Sequence, residues 1–522
     1  MIRHLLLTAA IALPLAAPAT AETLKWATAR DVYGLDPHAV TDSFTNIFTH
    51  HIYEPLVRYD ADLKIEPALA TKWEVIEPNR IRFTLREGVT FHGGESLDAD
   101  DVIVSLTRAA DPRSPLRGNL PGLKSVEKVD DLTVDVVMEG PTPLLNNYLT
   151  NIFILDSGWL AANGATDPID ASKGEEGYTT NNANGTGPFK LESRRPDALN
   201  VLVANTGWWD TPAHNLTRIE HSPIASAATR VAALLSGEID LIEPAPLQDA
   251  ARIEAADGVH MLQNPGLRSI MMGINMGPEL VDGNTPGKNP LADLRVRQAL
   301  YHAINMDLIR DRIMRGKSRV TGSLIAPEVK GFSDAMDERL PYDVARAKSL
   351  LAEAGYPDGF AFNLNCPNDR YVNDEAICQA MASMLTQAGF QPRLVTEPRQ
   401  IHFQKVDERK VDVFMLGWAT LPMLDGFSVL SAMLATKEGS YGTFTPAGYS
   451  NAKVDELTKA IAVEMDETKR QAMMNEALML ARDDIAWLPV HQQPLSWAAR
   501  DTVTVPQAAD DLVRLWYAQV KR

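Results

Sequence analysis

The sequence predicts a two-lobed α/β protein with a ligand cleft between its lobes. Three observations carry this expectation. The chain has 522 residues, more than one hydrophobic core accommodates, so it divides into two or three packed units. Its first half reads as many strands with few long helices, whereas its second half alternates strand and helix, as an α/β domain with both sheet faces covered does. The change falls between Pro265 and Asn275, and a strand-like closing segment offers a return to the first unit. Two lobes joined by crossing strands leave a cleft, a common ligand location.

The elements follow in chain order. Residues 1–21, MIRHLLLTAAIALPLAAPATA, carry Arg3, an apolar run from Leu5 to Ala17, and Ala19-Thr20-Ala21 before Glu22. This is the pattern of a cleavable secretory signal. The run is short for a membrane span. No cysteine follows to take a lipid, so the expected mature protein begins at Glu22, free in the periplasm. RIRFTLREGVTF (80–91) and LTVDVVME (132–139) alternate apolar and polar residues, as half-buried strands do. GPFKLES and LNVLVAN (187–193 and 199–205) flank a charged turn and read as a hairpin. SAATRVAALLSGEIDLI is a helix stopped at Gly237 before a short strand. Helices are then expected in PLADLRVRQALYHAIN, VARAKSLLAEAG, DEAICQAMASMLTQAG, NAKVDELTKAIAVEM and DETKRQAMMNEALMLARDDIA. FAFNLNC, QPRLVTE, VDVFMLGW and the closing WLPVHQQPLSWAAR read as strands.

Composition and motifs narrow the function. With 68 acidic and 50 basic residues the formal net charge is -18, which argues against nucleic acid and anionic membrane as partners. The only two cysteines, Cys366 and Cys378, lie at a strand end and in the next helix. A disulfide and two buried thiols both remain open, and without a CxxC neither zinc nor a redox site is expected. Gly316-Lys317-Ser318 lacks the glycine that a phosphate loop places five positions earlier, and there is no GxGxxG, GxSxG or HExxH. His92 has no partner at ligand spacing and reads as scaffold surface beside a Gly93-Gly94 turn, with Ser96 or Asp98 capping the helix that follows. Adjacent His50 and His51 point about 100° apart on a helix and cannot chelate together. No catalytic residue, cofactor or metal site is assigned, and the protein is expected not to be an enzyme. A secreted hydrolase with a scattered triad is the less favoured alternative.

Several segments together resemble the extracellular solute-binding proteins of peptide-type ABC importers, the dipeptide, oligopeptide and nickel binders. They are YEPLVRYDADLKIEPALATKWEV, IRFTLREGVTFHGGESLDADDVIVSLTR, GTGPFKL (185–191), VRQALYHAIN (296–305) and LLAEAGYPDGF (350–360). The resemblance covers nearly the whole mature chain. It implies a periplasmic binding protein fold with an additional N-terminal subdomain. The division is then signal 1–21, lobe I in 22–55, 185–268 and 488–522, the subdomain in 56–184, and lobe II in 269–487. It also implies a monomer that captures a peptide or peptide-like solute by closing and delivers it to an inner-membrane ABC permease with cytoplasmic ATPases. An opine, a sugar or a chelated metal is the alternative cargo.

Four residues are candidates for the site. Trp418 ends the strand VFMLGW, where open α/β sheets present ligand contacts. Arg370 and Tyr371 lie between a strand end and a helix start, and an arginine there can grip a carboxylate with two parallel hydrogen bonds. In peptide binders an aspartate three residues past this tryptophan holds the peptide amine. Here that position is Leu421, and the nearest acid, Asp425, lies seven past Trp418. Asp425 is therefore the candidate for an amine.

Overall fold

The computed structural model describes residues 22–521, and the expected signal segment, 1–21, lies outside them. An eleven-stranded sheet runs through both lobes. Its middle is the antiparallel pair Val259–Ile274 and Trp487–Arg500. Val259 and Ala498 pack in a lobe I core, and Ile270, Met272, Leu488 and Val490 pack in a lobe II core. Both strands therefore cross between lobes. Their register breaks between Pro265 and Ser269, at the crossing. The sequence pattern places a boundary here rather than a strand, because Pro265-Gly266 interrupts the alternation and residues 270–274 are buried on both faces.

On the lobe II side the sheet continues through Val413–Trp418, Ala361–Pro367 and Gln391–Glu397. The intervening helices include Asp374–Gln387 and Arg399–Asp407. The second of these, RQIHFQKVD, buries only His402 and Val406, so its sequence carries little helical periodicity. On the lobe I side come Leu241–Glu243, Glu22–Thr28, Leu216–Pro223, Leu199–Ala204 and Phe189–Arg195.

A smaller body interrupts lobe I. Strands Ala70–Glu77, Arg80–Leu85, Thr133–Met138 and Leu123–Asp130 form, in that spatial order, a separate antiparallel sheet. Helix Ala99–Ala110 covers it, and Phe83, Val102, Leu106, Val134 and Val136 form a core of their own. Asp98 caps this helix by accepting from Asp100 N at 2.8 Å, and Asp101 returns the bond by accepting from Asp98 N at 3.0 Å. At its far end Arg108 donates twice to Asp36 of lobe I, at 2.6 and 3.0 Å, fully buried. A pair removed from water in this way holds the subdomain at a fixed angle, because separating it leaves two uncompensated charges.

The segment around His92 is a joint rather than scaffold surface. His92 N donates to Gly185 O at 2.8 Å and His92 Nε2 to Gly187 O at 3.0 Å. Burial lowers the His92 pKa to about 4, so the ring is neutral when it makes this bond. Gly185 and Gly187 lie directly on the Ile52 peptide. A Cβ on Gly185 would meet Ile52 O at 2.1 Å, and one on Gly187 would meet Ile52 C at 2.7 Å, so neither position tolerates a side chain. Three of the resembling segments thus dock on one another as structure.

Cys366 and Cys378 form a disulfide with Cα atoms 6.5 Å apart. It closes the loop that carries Arg370 and Tyr371. At a separation of 12 residues the loop-entropy contribution is about 3 kcal/mol.

Candidate functional site

Between the lobes lies a cavity of about 1060 Å³. Small-molecule sites span roughly 300–1,000 Å³, so there is room for several linked residues. Arg370, Tyr371 and Trp418 lie on its wall, and Asp425 does not.

Tyr371 is held from two sides. Its backbone N and that of Arg370 both donate to Asp374 Oδ2 at 2.9 Å, and its hydroxyl accepts from Gly417 N at 2.8 Å. A Cβ on Gly417 would meet Tyr371 Cε1 at 2.6 Å, which explains a glycine before Trp418. Trp418 donates from Nε1 to Ser428 Oγ at 2.9 Å and packs against Phe444 with ring centroids 5.4 Å apart. Together with Phe403 these rings give lobe II an apolar wall. Leu421, at the position where the resemblance leads to an aspartate, also faces the cavity.

Asp425 is a correction to the sequence reading. It is fully buried and accepts from Arg470 Nη1 at 2.5 Å, Arg470 Nη2 at 2.9 Å and Phe427 N at 2.9 Å. Its lone pairs are spent on structure. The short separation from Trp418 suggests a site residue, but the chain turns inward after Pro422 and carries Asp425 under the loop.

The sequence reading missed Arg268, which projects into the cavity from the crossing of the two long strands. Its side-chain bond is to Gly417 O at 3.3 Å. The Arg370 guanidinium sits 5.1 Å from the centroid of the Tyr371 ring. Among the described residues neither arginine has a carboxylate ion-pair partner. Burial first, then the Arg370 charge, lowers the Arg268 pKa. Asp511 is the carboxylate whose charge reaches Arg268, but no carboxylate pairs directly with either arginine, and two like charges so placed attract an anionic group.

Lobe I contributes acids. Glu54 accepts from Trp209 Nε1 at 2.8 Å, Thr186 Oγ1 at 2.9 Å and Trp208 Nε1 at 3.1 Å, and burial raises its pKa to about 7. Arg58 beside it is committed to Glu66 at 2.7 Å and Asp210 at 3.0 Å. Glu243 and Asp511 also line the cavity. A strand-end signal was available for Glu243, which closes Leu241–Glu243, but a strand this short has little periodicity to reveal it. Among the described residues no helix is long and apolar enough to cross a membrane.

The sequence profile "Bacterial extracellular solute-binding proteins, family 5 Middle" matches residues 64–441. The chain belongs to this family of solute-binding proteins. This solute-binding protein is 26% identical to heme-binding protein A of Haemophilus influenzae, over 94% of this chain and 91% of the relative. It is likewise 26% identical to the glutathione-binding protein GsiB of Salmonella paratyphi A, over 90% and 89%. The structure of HbpA2 from Haemophilus parasuis superposes with a TM-score of 0.81 at 24% identity, covering 96% of this solute-binding protein and all of the other chain, and so shares its fold.

Proposed function

We propose that this solute-binding protein captures a peptide-like solute through its free carboxylate and delivers it to the permease of an ABC importer. The observation that carries the reading is the pair Arg268 and Arg370, two guanidiniums without carboxylate partners on one cavity wall. The apolar wall of Trp418, Phe403 and Phe444 suits the rest of such a ligand. A glutathione-binding relative supports the class, because glutathione is a modified tripeptide with free carboxylates. The work done is closure. A ligand that touches both lobes stabilises the closed form over the open one, and the permease reads the closed form. No chemical step is required of the protein.

Thermal-shift screening of amino acids, di- and tripeptides, glutathione, heme, opines and sugars tests the reading. Stabilisation by a carboxylate-bearing peptide that mass spectrometry recovers intact is expected. Stabilisation only by uncharged solutes, or steady product formation, overturns it. Intact mass of exported protein is expected to start at Glu22. Retention of Met1 in that fraction removes the signal assignment.

A further inference from the structure

The cavity carries a second arrangement that anion binding does not use. Glu243 is 8% exposed and lines the cavity, and its Oε2 has no hydrogen-bond partner. A buried carboxylate oxygen left unpaired costs free energy unless an outside partner satisfies it. The nearby cations Arg30 and Arg230 hydrogen-bond other groups, although both charges reach Glu243 and Arg230 Nε is itself unpaired. Arg30 pairs with Asp42 at 2.6 Å, and Arg230 donates to the carbonyls of Ile224, Ala225 and Pro244. Asp511 stands on the same wall, in a turn where its φ is +65°. Its Oδ1 accepts from Trp497 Nε1 at 2.9 Å. The adjacent Asp510, also on the cavity wall, is paired with Arg514 at 2.7 and 2.9 Å. Glu243 and Asp511 thus line one cavity, and among the described residues neither has an ion-pair partner.

We infer that Glu243 and Asp511 form a subsite for a cationic group of the solute, an ammonium or a guanidinium, opposite the arginines that take its carboxylate. This rests on the proposed function and adds polarity to it. The anion lies toward Arg268 and Arg370, and the cation lies toward lobe I. The apolar Leu421 leaves the amine no acid on its own loop, and the lobe I pair supplies one.

The electrostatics agree with the placement. Burial, and then the Asp511 charge, push Glu243 well above the ordinary carboxylate range, with Arg30 and Arg230 opposing. Burial raises Asp511 to about 6, with Trp497 and Arg268 opposing and Asp510 adding to the rise. In the absence of a cationic partner these acids hold protons at mildly acid pH. A cation arriving between them displaces protons, so solute binding near pH 6 releases them.

The test uses full-length mature protein, with glutathione and a set of di- and tripeptides, each also in N-acetylated and C-amidated form. Calorimetry in two buffers of different ionisation enthalpy reads affinity and proton release together. Expected are a tenfold or greater loss on N-acetylation of each bound peptide, and the same loss for the free-amine form in Glu243→Gln and in Asp511→Asn. The acetylated forms should bind the variants as they bind wild type. Both substitutions are near-isosteric, and Asp511→Asn keeps an acceptor for Trp497. Wild-type affinity in both variants, with C-amidation and Arg370→Ala still abolishing binding, overturns the cation subsite and leaves the proposed function standing. Insensitivity to C-amidation overturns the proposed function while the N-acetyl comparison still judges the subsite. If no zwitterionic peptide binds, both fall.

Discussion

The Tyr59 hydroxyl donates to the Pro422 carbonyl at 2.7 Å, joining two residues 363 positions apart across the mouth of the cavity. Asn147 braces the contact from the smaller body, donating to Tyr59 Oη at 2.8 Å and to Met423 O at 2.7 Å. The bonds to Pro422 O and Met423 O exist only while the lobe II loop 421–424 meets the body that carries Tyr59 and Asn147, so these two count toward the closed form alone.

Tyr59→Phe removes two of these bonds, of which only the one to the Pro422 carbonyl reaches the lobe II loop. A hydrogen bond contributes about 0.5–1.5 kcal/mol net, so solute affinity should fall about two- to tenfold. Small-angle scattering should show a larger radius of gyration for the free variant than for wild type, and an unchanged radius would deny the contact a part in closure.

Arg370→Ala should weaken a carboxylate ligand by at least roughly 30-fold, because a charged hydrogen bond in a desolvated cleft contributes on the order of 2–5 kcal/mol. The free variant should melt no lower than wild type, because no internal ion pair is broken. Calorimetry and a melting scan on the same sample check both halves.

Asp425→Ala should act on stability instead. It strands Arg470, whose side chain is 7% exposed, and losing one member of a buried pair costs about 3–5 kcal/mol. Urea titration should show the loss, and Asp425→Leu combined with Arg470→Met should recover much of it. Unchanged stability in the single variant would contradict the structural role.

The free protein should lose stability as pH falls from 6.5 toward 4.5. Burial depresses His38 and His221 to about 3 and His50, His51, His92 and His491 to about 4. Each folded pKa lies below its unfolded value near 6.5, so the unfolded chain binds more protons throughout this window. Each uncompensated histidine contributes on the order of 1.4 kcal/mol per pH unit. Glu54, Asp101, Glu243 and Asp511 have raised pKa values and the opposite sign, favouring the folded state as pH falls, but they are fewer. Melting temperature against pH checks the direction, and a flat profile would mean the two sets cancel.

The fold was legible where periodicity was strong. The lobe II helices fall where the pattern puts them because each buries one face, and the strand ending at Trp418 does so as a short apolar run buried on both faces. Val259–Ile274 was not legible, since Pro265-Gly266 interrupts its alternation and residues 270–274 are buried on both faces. Of the residues on the cavity wall, Arg370, Tyr371 and Trp418 could be placed from strand ends. Arg268 could not, because its setting is a register break that only the partner strand reveals. Asp425 misled because spacing along a loop does not say which way the loop turns.

The break at Pro265–Ser269 gives Arg268 a mechanical position unlike that of Arg370. A residue at a fulcrum barely travels when the arms part, so Arg268 can greet a carboxylate as well in the gaping form as in the shut one. Interactions that are equal in two states shift no population between them. On the proposed function, Arg268 therefore acts on how readily the solute is caught, and Arg370, set in lobe II, acts on whether the jaw stays shut.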